Sequence, residues 1–110
     1  MKVNILGEVW KIKFKNAKKD SRLKTADGYT DRTIRTIFIV KDRGNSGFHN
    51  YDEYQKSIIR HEIIHAFLVE SGLDNNWQHA DQFGHDETMV DWVSMQFPKL
   101  QKAFLEAGAI

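Results

Sequence analysis

Within the stretch IIRHEIIHAF, residues 58–67, two histidines stand four apart with a glutamate beside the first: His61, Glu62 and His65. On a helix that spacing puts two side chains on one face, so the imidazoles of His61 and His65 project side by side and can share one metal ion. Glu62 points along the edge of the same face, within reach of a water on that ion. The pattern is HExxH, in which two histidines bind zinc and the glutamate is the general base of a hydrolase. The flanks are Ile58, Ile59, Ile63, Ile64, Ala66 and Phe67. Burying two imidazoles and a carboxylate among them is unfavourable unless something satisfies these groups, and a divalent cation does so. The competing reading is a core helix whose histidines bond to backbone or carboxylates. Arg60, the one further charge, falls where the pattern accepts any residue.

A tetrahedral catalytic zinc takes three protein ligands and leaves the fourth position to water. The downstream candidates are His79, Asp81, His85, Asp86, Glu87 and Asp91. A continuation as HExxHxxGxxH is excluded, because Leu68 and Ser71 occupy the required Gly and His positions. An ExxxD pattern on a second helix is present as ETMVD, Glu87 to Asp91, again four apart. Glu87 then completes the metal set, and Asp91 accepts the free ring N–H of a ligating histidine, fixing its tautomer. His85 is the next candidate for third ligand and His79 follows it. Two neutral imidazoles and one carboxylate leave zinc with net positive charge, which acidifies a bound water toward neutral pH.

Elements must position these residues. EVWKIKFK alternates, with Trp10, Ile12 and Phe14 on one side and Lys11, Lys13 and Lys15 on the other, the signature of a half-buried strand. KVNIL ahead of Gly7 predicts a shorter strand paired with it. Residues 16–24 read as a loop, and ADGYTD carries an Asp-Gly turn signal. TIRTIFIVK, rich in β-branched residues, predicts a more central strand. Asn50 with Glu53 three residues later is a capping box, opening a helix that runs to about Ser71 and stops at Gly72. A second helix starts near Asp86. Pro98 is expected to end or kink it and to open a third. Strands first and helices second predict α+β: a small N-terminal antiparallel sheet with two or three helices packed on it. Trp77, Phe83, Trp92, Phe97 and Phe104 read as core.

The 110 residues predict one domain, 1–110, with 41% apolar and 28% charged residues, as in ordinary globular proteins. The absence of cysteine excludes disulfides and thiolate metal sites. The net charge of +1 conceals a basic first half and an acidic second half that carries the His, Asp and Glu cluster. The basic half reads as a solvated sheet face, so a nucleic-acid partner is not expected. Nothing approaches the ~20 apolar residues of a membrane span, and the N-terminus does not read as a signal peptide, so no membrane partner and a cytoplasmic location are expected.

HEIIH, some twenty intervening residues and ETMVDWVSMQFP together resemble the minimal gluzincins of the ImmA/IrrE-like type, often carried by phages and mobile elements. Val90, Asp91 and Trp92 match the run after the third ligand in kind, and Pro98 sits where that helix often ends. Val90 and Ser94 depart from the usual alanines. The match covers about residues 50–98. It implies a zincin-like metallopeptidase fold with a sheet ahead of the active-site helix, one zinc ion per chain, and Glu87 as third ligand. It carries no substrate.

The expected function is therefore zinc-dependent hydrolysis of a peptide or protein, with Glu62 catalytic. An edge strand, TIRTIFIV, is expected to hold the substrate extended. Tyr51, Tyr54, His79 and Arg60 are the candidates for stabilising an oxyanion. The rival is a binding or regulatory module of a phage or mobile element that keeps the metal for stability and has no turnover.

Overall fold

The computed structural model describes residues 1–44, 47–72 and 87–106. The architecture is α+β, a four-stranded sheet followed by two helices. The strands are β1 (Lys2–Ile5), β2 (Glu8–Lys15), β3 (Gly28–Asp31) and β4 (Thr36–Val40), in the spatial order β1-β2-β4-β3. EVWKIKFK forms β2 along its whole alternating length, with Trp10 and Ile12 buried and Lys11 and Lys13 exposed. All five residues of β4 are buried, as a strand covered on both faces requires.

One pairing departs from the expected antiparallel sheet. β1 and β3 each pair antiparallel with their neighbours, but β2 and β4 run parallel, Ile12 opposite Ile37 and Phe14 opposite Ile39. A parallel pair needs a crossover of a dozen residues or more, and residues 16–35 supply it. They are more ordered than a loop: two short 3₁₀ turns, Ala17–Lys19 and Ser21–Lys24, are capped by the side chains of Asn16 and Asp20, and Leu23 is fully buried. The Asp27-Gly28 pair does not turn the chain. It leads into β3, and the reversal falls at residues 32–35. The sheet edges are thus β1 and β3, which excludes TIRTIFIV as the edge that could hold a substrate.

Helix α1 (Tyr51–Ser71) has the expected ends. The Asn50 side chain accepts from the Glu53 N–H, and Gly72 closes the helix in the left-handed conformation at φ 84°. Its first turns are pinned to the sheet, where Tyr51 Oη and Gln55 Nε2 both donate to the Val40 carbonyl. Ile58 and Ala66 join Ile5, Trp10, Ile12, Ile37 and Ile39 in the core between helix and sheet.

The far end of α1 is tied down by Glu70, whose Oε1 accepts from buried Trp10 Nε1 at 2.9 Å and from Arg35 Nε at 2.6 Å. The Arg35 hydrogen bond, seconded by the indole and the guanidinium charge, holds the Glu70 carboxyl below its ordinary 4.5. A depressed carboxyl contributes stability that is complete above the unfolded value and is lost as pH falls through the folded one. The melting temperature should therefore drop more steeply below pH 4.5 in the wild type than in Glu70→Gln, whose amide does not titrate. Parallel profiles would show that Glu70 is not coupled to folding.

Helix α2 (Glu87–Glu106) is continuous, so the protein has two helices and not three among its described residues. Pro98 lies inside α2 without ending it. The physical reason is a substitute donor. A proline at 98 leaves the Ser94 carbonyl without its intrahelical partner, and Arg60 Nε of α1 donates to that carbonyl at 2.9 Å. Val90 and Ser94 are buried, whereas Trp92, expected in the core, is 55% exposed and Phe97 45%. Trp77, Phe83 and Asp86 lie outside the described residues, as does the side chain of Phe104. Among the described residues no helix is long and apolar enough to cross a membrane.

Candidate metal centre

Ile58, Glu62 and Ala66 recur every four residues along α1 and are buried, so Glu62 sits in the middle of the stripe that faces the sheet. His61 and His65 lie one step round the helix, on the side toward α2. One helix thus offers two imidazoles to its neighbour and a carboxylate to the strand beside it.

Strand β3 comes close enough to touch that carboxylate because residue 28 is glycine. A Cβ there would stand 2.9 Å from Ile58 Cγ2, 3.1 Å from the Phe38 carbonyl oxygen and 3.2 Å from Glu62 Cγ. Thr30, two residues on, donates its hydroxyl to the Glu62 carbonyl at 3.2 Å and lies 3.5 Å from Glu62 Oε1. Glu62 is only 4% exposed. Burial pushes its carboxyl up to about 7; His61 opposes the shift, Glu87 and Asp91 add to it, and the Thr30 hydroxyl opposes it.

The imidazoles face each other, with His61 Nε2 and His65 Nε2 3.0 Å apart. The carboxylate of Glu87, in the first turn of α2, spans both: Oε1 is 3.1 Å from His65 Nε2 and Oε2 is 3.4 Å from His61 Nε2. On the other side of the ring, His61 Nδ1 is 2.5 Å from Asp91 Oδ1. A carboxylate there takes the ring proton onto Nδ1 and leaves the Nε2 lone pair pointing at His65 and Glu87.

These groups fit a metal ion. His61, Glu62 and His65 offer ligand atoms that all lie within 4.8 Å of one another, making a group that could hold a cation. The separations of 3.0, 3.1 and 3.4 Å among His61, His65 and Glu87 are also informative. Two donors at ~2.0–2.1 Å from one tetrahedral ion stand about 3.3 Å apart, and each of these separations is near that spacing, the two Glu87 distances running to its two different oxygens. The donors, two imidazoles and a carboxylate, suit zinc and accept several other transition metals.

The sequence placed His61, Glu62, His65, Glu87 and Asp91 together, and the structure brings all five to one point. His79 and His85, the rival third ligands, lie outside the described residues. Three expected oxyanion groups are engaged elsewhere: Arg60 Nε with the Ser94 carbonyl, Tyr51 Oη with the Val40 carbonyl, and Tyr54 Oη with Asp27. The sequence reading missed Gly28 and Thr30. Gly28 was read only as part of an Asp-Gly turn signal, and nothing in the sequence marks Thr30.

The cluster floors a cleft of about 760 Å³ between β3, α1 and α2. Its walls include Tyr54, Ile58, Val69 and Met95, with Arg32 at the β3 side. This is the size of cavity that takes a small molecule or a few residues of peptide. No family model matches the chain, and no curated protein or solved structure matches it either. What the fold and cluster define is an α+β protein with an HExxH-type His/Glu/His group on a helix, open to a cleft.

Proposed function

We propose that the protein is a zinc-dependent peptide-bond hydrolase in which His61, His65 and Glu87 hold the ion and Glu62 is the general base. The observation that carries the reading is the convergence of two imidazole nitrogens and a carboxylate beside the buried Glu62 carboxyl in the lining of a cleft. The resemblance of HEIIH and ETMVD to minimal gluzincins agrees with it.

A bound zinc ion supplies Lewis acidity, polarising the substrate carbonyl and making water acidic. Each step of proton handling falls to the chain. Glu62 accepts a proton from the attacking water and returns it to the leaving amine. Its burial suits the work, because desolvation raises the carboxyl's affinity for a proton and so favours taking one from water. The Thr30 hydroxyl and the close approach allowed by Gly28 keep the side chain in place. Asp91 holds the His61 tautomer. Strand β3, an edge of the sheet bordering the cleft, is the element onto which an extended peptide would add.

The test is cleavage of a mixed pool of unstructured peptides, followed by mass spectrometry. Cleavage is expected, and removal of metal by a chelator should stop it until zinc is restored. Cleavage that persists after complete chelation would contradict a metal-dependent hydrolase. Metal tightly bound with no cleavage of any peptide would favour the non-catalytic, metal-stabilised module.

A further inference from the structure

Arg60 occupies the position before His61 where the HExxH pattern places no demand, yet its side chain reaches across to the other helix. Nε donates to the Ser94 carbonyl at 2.9 Å. That carbonyl is a particular one. In an α-helix it would accept from the N–H four residues on, and the residue there is Pro98, which has none. Proline therefore creates an acceptor in mid-helix, and Arg60 takes it. Ser94 itself is 2% exposed, so the bond lies in the seam between the helices, where an unpaired carbonyl would be unfavourable. The Ser94 hydroxyl turns back along α2 to the Asp91 carbonyl at 2.9 Å.

The contact lies on the same two helices as the candidate metal centre and next to it in sequence. Arg60 is adjacent to His61 on α1. Ser94 is three residues from Asp91, and Glu87 lies a further turn toward the start of α2. The centre needs α1 and α2 at one spacing and one rotation, since His61 Nδ1 must meet Asp91 while both Nε2 atoms meet Glu87. Val90 of α2 is fully buried, but apolar burial is non-directional and does not by itself specify one register for a helix pair. A directional, charge-assisted hydrogen bond one turn from Asp91 fixes it in translation and rotation.

We infer that Arg60 and Pro98 form a latch that sets the register of α2 on α1 and so positions Glu87 and Asp91 at the two histidines. The inference rests on the ligand set proposed above. Arg60 is a positioning residue and touches neither metal nor substrate. Pro98 is the other half of the device, because it keeps the Ser94 carbonyl free for the partner helix.

The experiment measures zinc affinity by chelator competition, together with unfolding free energy, for Arg60→Met, Pro98→Ala and the double variant. Arg60→Met should lose stability and weaken zinc binding by about 2–30-fold, the range for a residue that acts on a site without touching its ligands. Pro98→Ala returns an N–H to the Ser94 carbonyl. In the Arg60→Met background it should recover stability but leave zinc binding weak, since nothing then bridges the helices. Arg60→Lys, which keeps a donor, should hold zinc better than Arg60→Met. Recovery of zinc affinity together with stability in the double variant would overturn the latch, since Arg60 would then serve the carbonyl alone. Unchanged zinc affinity in Arg60→Met would overturn it too. Glu87→Ala separates this from the ligand assignment. Weakened binding there with normal binding in Arg60→Met sinks the latch and leaves the ligands standing. The stability cycle between Arg60 and Pro98 is read without metal, so strict additivity sinks the latch even if Glu87 is no ligand.

Discussion

Replacing Glu62 by glutamine is expected to lower peptide cleavage by about 10²–10⁴-fold, the usual contribution of a positioned base, while the protein keeps its metal. Glutamine has the shape of glutamate, so the packing against Ile58 and β3 should survive. It cannot accept a proton from water. Stability should stay within about 1 kcal/mol of wild type or rise, because one buried charge is removed. Turnover, metal content and melting temperature, measured on one preparation, make the result specific: the first falls and the other two hold. A Glu62→Gln protein that cleaves at the wild-type rate would show that the base lies elsewhere. One that loses its metal would make Glu62 a ligand, the alternative suggested by its place in the His61, Glu62 and His65 group.

The second large effect concerns α2. Glu87→Ala removes a carboxylate that stands 3.1 Å from His65 Nε2 and 3.4 Å from His61 Nε2, and metal affinity should collapse. Asp91→Asn keeps the size of the group 2.5 Å from His61 Nδ1 but removes its charge, and affinity should fall by roughly 10–100-fold. The two variants therefore rank, with Glu87→Ala the worse. If Glu87→Ala keeps its metal while His85→Ala releases it, the third ligand is His85 and the ExxxD reading fails.

Much of this arrangement was legible in the sequence because the rules behind it are local. The alternation in EVWKIKFK, the Asn50 cap with Glu53, the Gly72 stop and the i, i+4 spacings of His61/His65 and Glu87/Asp91 each depend on a few neighbouring residues. What could not be read depends on partners far away in the chain. The parallel pairing of β2 with β4 follows from how residues 16–35 cross over, and no periodicity encodes that. Asp27-Gly28 carries a turn signal, yet Gly28 serves a close approach to Ile58 and Glu62, residues thirty or more positions away. Pro98 carries a stop signal that Arg60, on another helix, cancels. Thr30 looks like any strand threonine until α1 is laid beside it.

The central claim is that a metal ion satisfies the cluster of half-buried His61 and His65 and buried Glu62. Metal analysis of the protein purified without added metal or chelator, set beside a His61→Ala, His65→Ala double variant, tests it most directly. The account predicts close to one zinc ion per wild-type chain, with the double variant metal-free and lower-melting. Wild-type protein that is folded yet binds no divalent ion when zinc is supplied, or a double variant that retains full metal content, would contradict it.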